Sequence, residues 1–279
     1  MGNELRKDYF SNWVMISKDR GFRPKNFEEI EKRKKGINPF KPGNEKLTPP
    51  ESDRVDRMGK WLMRSFPNKF SFSTSGQVHE VIVETNDENK KLWDFTQRQV
   101  FDLFVFYQKR FRQAVKQGYA FLFKNEGAKA GASIPHAHAQ LVTTEEKPGI
   151  AVLEKEVLNF GLIKKKEKDF IIKEDDLFYA YCPKASRFKL EAWIVCKRRG
   201  SSLSDLTVEE LDSASKLLLS LLKKLNKKMG NVSYNIIHHE EPNYHMHLIP
   251  RIGTMAGMEL GMNVFINSIP PEDAVRFYK

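Results

Sequence analysis

The run Gly131-Ala-Ser-Ile-Pro-His136-Ala-His138-Ala-Gln140 sets two imidazoles and a carboxamide at alternate positions, directly after a glycine-rich loop that opens at Asn125. Residues i, i+2 and i+4 of a strand share one face. An extended run would therefore aim His136, His138 and Gln140 together and turn Ala137 and Ala139 away. That combination suits phosphoryl chemistry. A neutral imidazole attacks phosphorus without a base to deprotonate it, because its ordinary pKa of about 6.5 leaves it mostly uncharged at neutral pH. A second group can steer it, and a third can bind the phosphoryl oxygens. A further alternation, Tyr244-His245-Met-His247-Leu, follows late in the chain.

Both rows sit at the end of the same series of signals. In the first, His79–Glu84 is β-branched, Thr96-x-x-Gln99 starts a helix with a capping box, and Val100, Phe101, Phe104, Tyr107, Phe111 and Val115 give its apolar stripe. Gly118 stands at the stop, and a strand over 119–124 leads to the loop 125–134 and the first row. In the second, Leu190–Cys196 is the strand and Thr207-x-x-Glu210 the cap. Val208, Leu211, Leu218, Leu221, Leu222 and Leu225 make the stripe, Gly230 the stop, and a strand over 233–238 precedes the His245/His247 row. This predicts an α+β fold of two duplicated halves, each an antiparallel sheet with a long helix packed on it. The boundaries read as an arm over 1–59, a catalytic half over 60–150, and a link, second half and tail over 151–279.

The balance of 47 basic to 36 acidic residues gives a formal charge of +11. The excess lies in short runs such as Glu31-Lys-Arg-Lys-Lys35 and Lys164-Lys-Lys166, which suit solvated faces or attraction of a small polyanion. They lack the interleaved aromatics of a nucleic-acid platform. Cys182 and Cys196 form no CxxC, the N-terminus carries no apolar signal region, and no apolar run is long enough for a membrane span. A cytoplasmic protein is expected, with no nucleic-acid or membrane partner.

At these residues the sequence resembles the histidine-triad superfamily, most closely its galactose-1-phosphate uridylyltransferase branch, whose relatives include ADP-glucose and diadenosine tetraphosphate phosphorylases. Beyond the row itself, Asn12-Trp-Val-Met-Ile-Ser17, Arg20-Gly-Phe-Arg23, Asn38-Pro-Phe-Lys41, Phe66-Pro-Asn68 and Ala256-Gly-Met-Glu259 match the branch in order. The resemblance implies that His138 is the nucleophile, with His136 and Gln140 in support. It also implies that Ser133, Asn125, Gly127 and Gly131 cradle a sugar phosphate, that Arg20 and Arg23 face phosphate oxygens, that Asn68 lines the nucleoside pocket, and that Glu259 reads the sugar. The reaction implied is exchange of UMP between glucose-1-phosphate and galactose-1-phosphate through uridylyl-His138. The alternatives are phosphorolysis of an ADP-sugar or dinucleoside polyphosphate, and a catalytically retired nucleotide-binding protein. Lys69, where uridylyltransferases carry Asp, bears on the choice of base.

The branch also carries two metal sites. At the first, this chain has Asn38, Lys41, Glu88 and His136, which cannot form a thiolate-rich zinc site. No zinc is expected there, and Pro39, Pro42, Pro49 and Pro50 with helix packing are expected to hold the turn. At the second, His239, His245, His247 and Glu154 match and would hold one Zn or Fe ion. A metal-free polar cluster is the alternative; a nucleophilic His245 is opposed by the missing glycine-rich loop. A homodimer is implied by the resemblance alone.

Overall fold

Capping boxes start both long helices. In α1 (Gln97–Ala114) the Thr96 hydroxyl accepts from the Gln99 amide at 3.2 Å while the Gln99 side chain accepts from the Thr96 amide at 2.9 Å. In α4 (Val208–Met229), Thr207 and Glu210 repeat the exchange at 3.2 and 2.9 Å. The predicted stripes are buried apart from Phe101, which is half-buried, and Val115 and Val208, which are exposed at the helix ends. The computed structural model describes residues 37–73 and 76–279, with the backbone of β1 (Glu4–Lys7) and β2 (Trp13–Ile16), which pair antiparallel. Arg20 and Arg23 lie outside the described residues.

The first half contributes β3 (Asp53–Arg57), β4 (Lys60–Pro67), β5 (His79–Val83), β6 (Tyr119–Glu126) and β7 (His138–Thr144). The second contributes β8 (Ile171–Glu174), β9 (Phe178–Tyr181), β10 (Ala192–Cys196), β11 (Tyr234–His239) and β12 (His245–Pro250). They form one ten-stranded antiparallel sheet in the order β3-β4-β5-β7-β6-β11-β12-β10-β9-β8. The order reads the same from either edge, each strand meeting its counterpart five places on. The duplication is thus a property of the pairing, and β6 against β11 is the seam. The α+β reading holds, and each half is longer than its signals suggested: β3, from the expected arm, and β8 supply the outer strands.

One face of the sheet is covered by α1 and α4 around a core that includes Ile82, Leu122, Leu141, Phe104, Leu222 and Leu248. The other face carries two smaller apolar clusters, Phe40-Trp61-Phe66-Val81-Val83 and Phe160-Tyr179-Tyr181-Val195, one per half. Short helices α2 (Gly149–Val157) and α3 (Phe160–Lys166) form the link; α5 (Gly257–Met262) and α6 (Pro271–Tyr278) form the tail. Among the described residues no helix is long and apolar enough to cross a membrane.

The two stop glycines differ in what surrounds them. Gly118 has φ 142°, and a Cβ there would lie 2.4 Å from the Thr144 carbonyl oxygen of the paired strand. Gly230 has φ 70° with nothing within 4 Å of the same position. Strain alone costs about 1–3 kcal/mol for a residue held in such backbone regions. Urea unfolding should therefore place Gly230→Ala in that range and Gly118→Ala clearly beyond it; equal losses would show that the α1–β6 turn yields to relieve the clash.

Candidate active site

β7 begins at His138, so only His138 and Gln140 of the expected row belong to the strand. His136 lies in the lead-in, where its backbone carbonyl accepts a 2.8 Å hydrogen bond from His138 Nδ1. A carbonyl can only accept, so His138 Nδ1 carries the proton and Nε2 keeps its lone pair. Burial lowers the His138 pKa to about 4, the nearby Lys124 ammonium adding to the effect. The ring is thus a neutral base of fixed tautomer. Phe40 packs edge-on against it, with ring centroids 5.3 Å apart.

Gln140 Oε1 lies 3.0 Å from His79 Nε2 and accepts from Asn68 Nδ2 at 3.4 Å. Asn68 is oriented in turn by the Phe70 amide, which donates to its Oδ1 at 2.9 Å. With its oxygen engaged, Gln140 is left its NH₂ to offer a phosphoryl oxygen. Ser133 is exposed at the end of the loop. Asn125 Oδ1 accepts from Asn235 Nδ2 at 2.8 Å, and Asn235 also donates to the Ala130 carbonyl at 2.9 Å, tying the loop to β11 across the seam. Gly127 is demanded by packing, since a Cβ at its φ of 81° would lie 2.3 Å from Ser233 Oγ. Gly131, with φ 87°, makes the left-handed turn that ends the loop.

The four residues at the degenerate metal position come together and form a polar cluster of a different kind. His136 Nε2 donates to the Thr85 carbonyl at 2.6 Å, so its Nδ1 accepts, at 3.1 Å, from Asn38 Nδ2. The same Asn38 amide donates to Glu88 at 3.2 Å, and Lys41 donates to Glu88 at 2.7 Å. Lys41 and Asn38 hold the Glu88 carboxyl below its usual range. An ammonium has no lone pair for a metal, so this donor set does not fit one. Besides its prolines, the turn is tied to the sheet by Arg64. Fully buried, that guanidinium donates to Thr48 Oγ1 at 3.0 Å, Glu51 at 3.3 Å and the Pro39 carbonyl at 3.1 Å. Phe40, His79 and Thr85 escaped the sequence reading, although His79 is an inward-pointing imidazole in a β-branched run.

In the second half, Glu154 of α2 meets His239, His245 and His247, their ligand atoms all within 4.8 Å of one another. His245 Nδ1 donates to the Asn243 carbonyl at 2.9 Å, and His239 Nδ1 lies 2.9 Å from Glu154. His239 Nε2, His245 Nε2 and both nitrogens of His247 are buried without a hydrogen-bond partner. Burial drives the pKa values of His245 and His247 well below the usual range, so both present lone pairs. Orphaned lone pairs at this spacing fit a Zn or Fe ion, which would cross-link the link helix to the sheet. Glu259 caps its own helix, accepting from the Ala256 amide at 2.9 Å.

The two halves share a device, a buried imidazole whose Nδ1 donates to the carbonyl two residues back, at His138 and again at His245. No family model matches the sequence. The chain is 27% identical to ADP-glucose phosphorylase of Arabidopsis thaliana, over 98% of its own length and 91% of that protein. It is 26% identical to galactose-1-phosphate uridylyltransferase of Thermotoga maritima, over 74% and 75%. The crystal structure of the Arabidopsis phosphorylase with bound ADP-glucose matches with a TM-score of 0.78 at 26% identity, covering 99% of this chain and 98% of that one. A uridylyltransferase structure, 22% identical, shares the fold with a TM-score of 0.79 over 99% and 97%. The chain is thus similar to an ADP-glucose phosphorylase over nearly its whole length and to a galactose-1-phosphate uridylyltransferase over three quarters of it.

Two measurements check this site. Histidine ring NMR, assigned with His138→Asn, should show His138 neutral at pH 6 and protonating only near pH 4; a midpoint near 6.5 would mean a solvated ring. Elemental analysis should find one equivalent of Zn or Fe, lost in His247→Ala and on chelation with a fall in melting temperature. Two tightly held ions would contradict the reading of the Asn38-Lys41-Glu88-His136 cluster.

Proposed function

We propose that the chain is a nucleotidyltransferase that takes a nucleotide from a sugar nucleotide onto His138 Nε2. The observation that carries this reading is the fixed tautomer: Nδ1–H on the His136 carbonyl and a neutral Nε2 lone pair on the face shared with Gln140. In the first half-reaction Nε2 bonds to the α-phosphorus as the bond from that phosphorus to the bridging oxygen breaks. The sugar-1-phosphate leaves with the electron pair. In the second, an acceptor oxygen attacks the same phosphorus and the P–N bond breaks, returning the lone pair to Nε2. Neither step needs the imidazole deprotonated. Gln140 donates to the non-bridging oxygens in both, with Ser133, Asn125 and the 127–132 amides holding the leaving or entering phosphate. Arg20 and Arg23 are assigned the same oxygens.

For donor and acceptor we favour an ADP-sugar and inorganic phosphate, so that the reaction is phosphorolysis to ADP and a hexose-1-phosphate. The support is the phosphorylase relative, aligned over 98% of the chain, together with Lys69 beside Asn68. Exchange of UMP between hexose-1-phosphates is the second reading, supported by the Thermotoga relative over 74%. We also assign the tail to a second copy of the chain. Met258, Leu260, Met262, Val264 and Ile266 are all exposed along it, an apolar run suited to a homodimer that brings Glu259 to the neighbour's sugar.

Quenched mixtures with α-³²P ADP-glucose or UDP-glucose test the donor. Label should reach the protein from ADP-glucose and be released as ADP on adding phosphate, with none retained by His138→Gly. Label from UDP-glucose alone would favour uridylyl exchange, and none from either would leave only nucleotide binding. Gln140→Ala should slow both half-reactions by about 10²–10³-fold, the scale of one lost oxyanion donor. Glu259→Gln should raise the KM for hexose-1-phosphate in the reverse reaction while sparing release of nucleotide to inorganic phosphate; equal damage to both directions, or a monomer in light scattering, would remove Glu259 from the sugar.

A further inference from the structure

The sheet face opposite the nucleophile carries a buried charge network that the chemistry above does not use. Along β6 the inward positions are Ala120, Leu122, Lys124 and Glu126, an apolar alternation that turns ionic just before the glycine-rich loop. Lys124 is 1% exposed and Glu84, its partner, 2%. Lys124 Nζ lies 2.6 Å from Glu84 Oε2, 3.1 Å from Glu126 Oε2 and 3.3 Å from the backbone carbonyl oxygen of His138. Glu84 Oε1 accepts from the Tyr107 hydroxyl of α1. Glu126 Oε1 is 2.6 Å from Lys91 Nζ, which also donates to the Pro135 carbonyl.

Every carbonyl from Pro135 to His138 is therefore gripped. Pro135 takes Lys91, His136 takes the His138 ring at 2.8 Å, Ala137 takes the Glu84 amide at 3.1 Å, and His138 takes Lys124. Stability does not explain such an arrangement, since buried ion pairs replaced by apolar side chains of like volume often leave a protein as stable or more so. What an apolar set cannot do is donate to carbonyls. We propose that Lys124 and Lys91, held by Glu84 and Glu126, are positioning residues that clamp the backbone on both sides of His136 and so fix where His138 Nε2 meets the donor phosphorus. The inference rests on His138 being the nucleophile.

Rapid-quench measurement of adduct formation from α-³²P ADP-glucose, or UDP-glucose if that is the donor, tests it. Displacement of a reacting group by about 1 Å can cost about 10²-fold in rate. Lys124→Met should lose about that factor, with half-saturation in donor unchanged and the melting temperature lowered by the uncompensated Glu84. Lys124→Met/Glu84→Gln restores charge balance, so it should recover the melting temperature without recovering the rate. Recovery of both would overturn the clamp and leave a charge-balancing role. Lys91→Met removes a partly exposed side chain and should slow adduct formation about tenfold with little change in melting. A wild-type rate there would overturn the clamp even if neither Lys124 variant folds. A wild-type protein that forms no adduct from either donor would instead overturn the nucleophile reading, and the clamp with it.

Discussion

The 2.8 Å hydrogen bond from His138 Nδ1 to the His136 carbonyl is the constraint around which the first half is arranged. It decides which nitrogen keeps a lone pair, and it imposes a demand on the backbone. The His136 carbonyl is turned to the ring, and β7 starts only at His138, after an irregular lead-in. An irregular segment at the centre of a sheet must find other partners for its backbone groups. Here the partners come from both faces: Thr85 and Asn38 hold the His136 ring on one side, while Lys91 and Lys124 reach carbonyls from the helix-covered side.

The second half contains the same device with a different outcome. His245 Nδ1 donates to the Asn243 carbonyl at 2.9 Å, again two residues back, and again leaves Nε2 as a lone pair. What differs is the company. His138 has a carboxamide beside it in the strand and a glycine-rich loop before it, whereas His245 faces His239, His247 and Glu154 at ligand distance. Phe160 and Trp193 close over its ring, with centroids 4.9 and 5.6 Å away. One backbone device thus leaves an Nε2 lone pair beside a carboxamide in the first half and among other lone pairs in the second. The two rows lie on β7 and β12, separated in the sheet by β6 and β11.

Much of this was legible in the sequence because it is local. The capping boxes, the stop glycines, the helical stripes and the alternation of His245 and His247 are all short-range patterns, and each falls where its spacing puts it. The grouping of Glu154 with His239, His245 and His247 was expected from the resemblance, and the structure brings the four side chains together. The remainder depends on residues far apart in the chain. His79 reaches Gln140 only through the pairing of β5 with β7, and Lys124 reaches Glu84 only because β5 and β6 flank β7 in the sheet. One signal for that network was present: Lys124 and Glu126 occupy the inward positions of an otherwise apolar strand. Such charges are almost never buried unpaired.

The turn over residues 38–51 shows the limit of reasoning from a missing motif. Removing thiolates predicts the loss of a metal, and the prolines looked like the natural replacement. Rigid residues, however, fix only their own backbone angles; they do not join the turn to the rest of the protein. A metal ion joins, by taking lone pairs from four directions. Asn38 and Lys41 join by the opposite polarity, giving protons to the lone pairs of His136 and Glu88. His136 Nδ1 is satisfied in either arrangement, so its ring can keep its place beside the Thr85 carbonyl. Arg64 then binds the far side of the turn while its guanidinium lies over Trp61 and Phe66, 5.2 and 4.8 Å from the ring centres. Together these contacts seat Phe40 against the His138 ring, and that apolar contact helps bury the imidazole that burial keeps neutral. The polar cluster and the His138 ring thus meet through one phenyl ring, which links the packing of the turn to the burial of that imidazole.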